Sequence, residues 1–120
     1  MEFQVDILLR GEENATTKTI ETVGHEPPLW TDDDVETVLK EMLRALDRAK
    51  NPEGAERVVV LRGISWIVEA YEGGGVVIAL EIPTGAAIAG PFDIAQPELE
   101  GMIARVLAAR RSSGQSHVVH

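Results

Sequence analysis

Apolar and polar residues alternate at the start of the chain, which predicts a β-strand with one buried face. The alternating apolar residues are Phe3, Val5, Ile7 and Leu9. Glycine, glutamate and asparagine follow at 11–14 and predict a turn. We expect the threonine-rich segment 16–23 to pair back as a hairpin, and its few apolar residues favour the edge of the sheet.

The spacing of apolar residues then becomes helical, with one every three or four positions through Leu46. Thr31 stands where a helix N-cap is expected, and Asp34 at the third helical position completes an approximate capping box. Trp30 and Val35 flank this box and predict a hydrophobic staple. The sequence Asn-Pro-Glu-Gly that follows residue 50 ends the predicted helix.

The pattern returns to β-structure after this helix. Residues 57–71 are rich in β-branched side chains on both sides of Gly63. We interpret them as one long strand bent by a bulge, with two separate strands as the alternative. Glycines at 73–75 predict a reversal, after which Val76 to Ile82 form the next strand.

The last part of the chain predicts a short strand and a second helix. The strand covers Ala86 to Ala89, and Pro97 suits the first position of the helix because its missing N–H is not needed there. Apolar residues at helical spacing through Leu107 give this helix a buried face.

These elements follow in the order β-β-α-β-β-β-α, and runs of neighbouring strands favour antiparallel pairing. The predicted fold is therefore α+β, an antiparallel sheet of about five strands with two helices packed on one face. We expect a single α+β domain over residues 1–111 and a flexible C-terminal tail over 112–120.

The charge of the chain narrows its range of partners. The net charge is −9, and residues 1–36 account for −8 of it. Such a field repels phosphate backbones, so we expect no nucleic-acid partner. Two interpretations of the acidic surface remain open: a solvated face that maintains solubility, or a docking surface for a basic protein partner.

The sequence also bears on compartment. The chain has no cysteine, no apolar run long enough to cross a bilayer, and no basic start followed by an apolar segment. We therefore expect a cytoplasmic location and no membrane partner.

The segment 51–111 contains no histidine, cysteine or lysine, the side chains that carry most proton transfer, nucleophilic attack and metal binding. We accordingly predict no catalytic residue, no cofactor and no metal site. The acidic residues at 32–34 are explained by helix capping. The alternative of a small enzyme would use His25 or a carboxylate buried among apolar residues, with Glu69 and Glu81 as candidates.

Two segments predict a binding or subunit interface. Alternate residues of the strand that ends at Tyr71 share one face, and the small residues after Gly85 allow close approach of another chain. The predicted surface comprises Ser65, Ile67, Glu69, Tyr71, Ala86, Ala87, Ile88 and Ala89.

The function that the sequence favours is a small, acidic, non-catalytic interaction module that self-associates as a homodimer. The apolar residues on both faces of the predicted strands motivate this choice, since an uncovered apolar sheet face needs a partner. A small-ligand sensor or carrier is a further alternative, and an apolar cavity between sheet and helices would indicate it.

Overall fold

A computed structural model describes residues 1–54 and 59–119, with side chains through residue 109. It has five strands in one antiparallel sheet and two α-helices, which confirms the predicted α+β fold. The elements are β1 (Glu2–Leu9), β2 (Thr16–Glu21), α1 (Asp32–Lys50), β3 (Ser65–Ala70), β4 (Val76–Ile82), β5 (Gly85–Phe92) and α2 (Gln96–Val119). A single 3-10 turn, Pro27–Leu29, precedes α1.

The strands lie in the order β2-β1-β5-β4-β3. The first strand of the chain therefore pairs with the last, and β1 and β5 are adjacent near the centre of the sheet. Strand β2 lies at one edge, as predicted, and β3 lies at the other. The register places Ile7 opposite Ala87, and Ala87 opposite Leu80 on its other side.

The core lies between the sheet and the two helices, which pack on one face of the sheet. We call this covered side the inner face. It consists of alternate strand residues because successive side chains of a strand point to opposite sides. A row of buried side chains crosses it from β1 to β3: Val5, Ala89, Ile78 and Val68. Helix α1 packs on β1 and β5, and α2 packs on β3 and on α1.

The start of α1 confirms the predicted capping box. The Thr31 hydroxyl accepts a hydrogen bond from the Asp34 N–H at 3.3 Å, and the Asp34 carboxylate accepts one from the Thr31 N–H at 2.9 Å. Trp30 and Val35 are both buried next to this box. The indole of Trp30 also packs on Phe92 of β5 with ring centroids 4.8 Å apart, so the cap is joined to the sheet.

The predicted bent strand over 57–71 is only partly present. Residues 59–64 are not strand, and β3 begins at Ser65. Gly63 has φ +68°, a left-handed conformation that interrupts an extended path, and Leu61 turns into the core instead. Arg57 and Val58, where the predicted strand begins, lie outside the described residues.

The second helix begins at Gln96, one residue before the predicted start, and continues to Val119. It therefore includes residues 112–119, which the sequence assigns to a flexible tail. The flexibility of that segment stays a prediction.

Candidate interaction face

The side of the sheet opposite the helices, which we call the outer face, carries the most extensive exposed apolar surface of the described strands. The alternation of burial along each strand identifies its members. Its central residues are Asp6 and Leu8 on β1, Ala86 and Ile88 on β5, Val77, Ala79 and Glu81 on β4, and Ser65, Ile67 and Glu69 on β3. Tyr71 follows directly after β3 and is half exposed.

The strand register arranges these residues in two rows that cross the sheet. One row runs Asp6–Ile88–Ala79–Ile67 and the other runs Leu8–Ala86–Glu81–Ser65. Leu8, Ile88 and Ile67 are 42%, 45% and 50% exposed, and Tyr71 is 50% exposed. Half-exposed side chains of this size present on the order of 400 Å² of apolar surface, within the range of the largest patch on a typical monomer.

The charged side chains interleaved with this apolar surface are carboxylates. Glu81 lies between Ala86 and Ser65 in its row, and Glu69 lies opposite Val77. At the other side of the face, Asp6 accepts a hydrogen bond of 2.6 Å from the Thr17 hydroxyl. The outer face therefore combines exposed aliphatic groups with negative charge and, over β1, β3, β4 and β5 as described, presents no lysine.

Arg10 lies at the end of the sheet, next to this face. Arg10 follows β1, and its guanidinium Nε donates a hydrogen bond of 2.7 Å to the Pro83 carbonyl in the β4–β5 turn. Its backbone N–H bonds to the Thr84 carbonyl in the same turn. Arg10 therefore connects the two chain reversals, and among the described residues no ion pair is formed with Asp6, Glu69 or Glu81.

Six of the predicted interface residues lie together on the outer face, and two do not. Ala87 and Ala89 are fully buried on the inner face beneath the helices. They cannot form part of an interface on the outer face, because they alternate with Ala86 and Ile88 along β5. The face also includes residues that were not predicted from the sequence, such as Leu8. Leu8 could have been identified because it is apolar but lies out of phase with the other apolar residues of β1.

The exposed edge of β3 is protected by a side chain of α2. The Gln96 amide donates a hydrogen bond of 2.9 Å to the Val68 carbonyl. The backbone groups of successive strand residues point alternately to the two sides of the strand. The Tyr71 N–H bonds to the Gly75 carbonyl on the β4 side. Val68 is an odd number of residues away from Tyr71, so its carbonyl points to the open edge. Pairing with another strand at this edge would break the Gln96 contact, which favours the face over the edge as a binding surface.

The residues named for the enzyme alternative are not brought together. Glu69 and Glu81 are exposed on the outer face rather than buried among apolar groups. His25 lies at the start of α1, where its Nδ1–H donates a hydrogen bond of 2.9 Å to Asp34. Glu69 and Glu81 are therefore not buried carboxylates, and His25 contacts Asp34 instead of either of them.

Asp34 is the best-satisfied carboxylate near His25. Its partial burial acts to raise its pKa, but hydrogen bonds from the Thr31 N–H, the His25 ring, the Thr31 hydroxyl and the His25 N–H outweigh it. Together they lower the pKa of Asp34 from 3.8 to about 2. This network explains Asp34 as a structural link between the β2–α1 loop and the helix.

The neighbouring aspartates also have structural roles or lie in solvent. Asp32 forms a two-point ion pair with Arg105 of α2, with both N–O distances 3.0 Å, and hydrogen bonding to Asp32 raises the pKa of Arg105. Within residues 1–54 and 59–109, no three histidine, aspartate or glutamate side chains converge as metal ligands. Nor does a helix in that part of the chain have a stretch long and apolar enough to span a membrane.

Comparison of the chain with protein-family models, with curated proteins and with solved structures found no match.

Proposed function

We propose that this chain is a non-catalytic, cytoplasmic interaction module that binds a basic protein segment through the outer face of its sheet. The observation that carries the proposal is the pairing of exposed Leu8, Ile67 and Ile88 with interleaved carboxylates. The matching partner presents aliphatic side chains together with lysine or arginine.

The size of the apolar surface supports a partner that also contributes charge. At ~25 cal/mol per Å², about 400 Å² of buried apolar surface contributes roughly 10 kcal/mol before costs. Association costs an estimated ~4–15 kcal/mol in lost motion, and standard interfaces bury about 800 Å² on each partner. Apolar contact alone therefore supports only weak binding, and ion pairs with the carboxylates would add both affinity and faster association.

A second copy of the chain, the partner that the sequence favours, fits this face less well. A two-fold interface would bury the same carboxylates from both copies, with Glu81 inside the apolar rows on each side. A buried carboxylate without a cation costs several kcal/mol. In a dimer the carboxylates of the two copies would repel each other, whereas a basic partner would attract them. We therefore propose a basic protein as the partner of this face and treat self-association as the competing outcome.

The proposal is tested with synthetic peptides of about 10 residues. One alternates leucine with lysine, a second replaces every lysine by glutamate, and a third replaces every leucine by serine. We expect the leucine–lysine peptide to bind most tightly, to shift the NMR signals of Leu8, Ile67 and Ile88, and to weaken as salt is added.

Matched variants locate the contact. Ile67→Thr and Ile88→Thr keep the β-branch and should each weaken peptide binding about tenfold, the loss for roughly 1.4 kcal/mol. Val23→Thr is the control because Val23 is 98% exposed and lies outside the sheet. Glu81→Gln should weaken binding and flatten its salt dependence, whereas Glu13→Gln in the β1–β2 turn should do neither.

Equal binding of the lysine and glutamate peptides would refute the charge argument, and shifts confined to other surfaces would refute the choice of face. Sedimentation at several protein concentrations separates the competing occupant. If the protein binds none of the peptides and forms a dimer that Ile88→Thr dissociates, the partner of the outer face is a second copy of the chain and not a basic protein.

A further inference from the structure

A groove lies on the helix side of the sheet, between the β1–β2 hairpin and the last turns of α1. Its volume is about 550 Å³, within the range of about 300–1,000 Å³ that small-molecule sites occupy. Its lining includes Ile7 and Leu9 of β1, Lys18 and Ile20 of β2, and Ala45 and Ala49 of α1. We call it the hairpin groove.

The groove exists because α1 does not fill the space beneath the edge strand. The helix packs on β1 and β5, so the Thr16 end of β2 overhangs it. The helix residues that face the hairpin include Ala45 and Ala49, one turn apart, and their short side chains leave the space open. The floor is apolar, since Ile7 and Ile20 are buried beneath it.

Lys18 is the unusual residue of this groove. Positions 16, 18 and 20 of β2 share the inner face, because Ile20 is buried there and alternate residues of a strand point the same way. Lys18 therefore directs its charge to the side of the sheet that carries the core, opposite Val5 in the register. Among the described residues the Lys18 ammonium makes no ion pair or hydrogen bond, even though Glu12 lines the same groove.

We propose that the hairpin groove binds a small amphipathic anion, an aliphatic or aromatic carboxylate. Its apolar body would lie on Ile7 and Leu9, and its head group would pair with the Lys18 ammonium. Arg48 also lines the groove, but the head-group contact is assigned to Lys18 alone. This site is on the opposite side of the sheet from the outer face, so it does not depend on the proposed protein partner.

The first test varies the head group while the apolar body stays constant. Octanoate, octanol and octylamine are titrated into the full chain, with NMR shifts at Ile7, Leu9, Ile20 and Ala45 as the readout. We expect octanoate to bind best and phenylpropanoate to bind at the same residues. Tighter binding of octylamine would mean that Glu12 directs binding and would overturn the proposal. Equal binding of the three ligands would also overturn it, as would the absence of NMR shifts with both octanoate and phenylpropanoate.

Matched variants separate charge from shape. Lys18→Gln should weaken octanoate binding about tenfold, the loss for roughly 1.4 kcal/mol, because the charge-assisted hydrogen bond to the head group is lost; octanol binding should not change. Lys40→Gln on α1 is the charge control. Ala49→Leu fills the groove and should abolish binding of both ligands, whereas Ala104→Leu on the exposed side of α2 should not.

Lys18 has a competing structural explanation, since an inward-pointing charge on an edge strand discourages pairing with other sheets. If Lys18→Gln promotes aggregation but leaves octanoate binding intact, that explanation holds and the proposal fails. Octanoate binding that is unchanged in Ala49→Leu would overturn the assignment of the groove itself.

Discussion

Asp34 joins the β2–α1 loop to the start of α1, and its replacement by Asn should destabilise the protein by an amount that depends on pH. Replacing it by Asn removes the negative charge and leaves one carbonyl oxygen in place of a carboxylate that accepts four hydrogen bonds, two from Thr31 and two from His25. The comparison is Asp33→Asn. Asp33 is exposed in the same first turn, so that change removes the same charge without the network.

The size of the effect follows from the lowered pKa of Asp34. A change from 3.8 to about 2 corresponds to at most roughly 2.5 kcal/mol of stabilisation, at about 1.36 kcal/mol per pKa unit. The carboxylate lies near the surface, where solvent screening reduces this value. Loss of a helix cap typically costs about 1 kcal/mol. We therefore expect Asp34→Asn to lower the free energy of unfolding by about 1–2 kcal/mol.

The direction of the pH dependence is fixed by the same shift. Because folding lowers the pKa of Asp34, its contribution is fully present above 3.8 and is lost as the pH falls through about 2. The difference in stability between the native sequence and Asp34→Asn should therefore be constant near neutral pH. It should shrink steadily on acidification below about pH 4.

Urea unfolding followed by tryptophan fluorescence measures this difference, since Trp30 is buried beside the cap. The native sequence and both variants are unfolded at a series of pH values, with equal slopes against urea taken as evidence of a common unfolded state. The reasoning is refuted if Asp34→Asn costs no more than Asp33→Asn, or if its cost is the same in acid as at neutral pH.

Two further predictions test the sheet. A methyl group at Gly85 would overlap the Leu8 carbonyl oxygen, so Gly85→Ala should lower the free energy of unfolding by about 2–3 kcal/mol. Gly101→Ala inside α2 should instead raise it by about 0.5–1 kcal/mol. Urea unfolding measures both changes, and a Gly85→Ala variant as stable as the native sequence would contradict the β1–β5 packing. Gln96→Ala should lower the free energy of unfolding by about 1 kcal/mol and expose the β3 edge to pairing with another strand. Sedimentation should then show concentration-dependent association, which the control Glu98→Ala should not produce. A Gln96→Ala variant that stays monomeric would show that the edge needs no protection.

The parts of the fold that could be predicted from the sequence are those with local signals. Thr31 and Asp34 are three residues apart, and their capping box is complete within one turn of helix. The bounds of β4, Val76–Ile82, follow from the glycines before it and the proline after it. In both cases the residues that determine the structure are neighbours in the chain.

The errors occur where the local pattern is uninformative. Ala86 to Ala89 contains three alanines and one isoleucine, so no polar residue identifies the exposed side, and only pairing with β1 shows that Ala87 and Ala89 face inward. The run before Ser65 is β-branched, yet the positive φ of Gly63 overrides that propensity. The hairpin groove could not be predicted at all, because it depends on how far α1 extends beneath an edge strand.

Ala87 and Ala89 bear on the position of the hairpin groove, and the packing of both helices bears on the outer face. Ala87 and Ala89 lie at the centre of the inner face, and their short side chains let α1 approach β1 and β5 closely. A helix held there cannot also cover β2, which leaves the hairpin groove beneath Lys18. Since α2 packs on α1 and β3 on the same side, both helices lie on the inner face, and neither covers the outer face with its carboxylates.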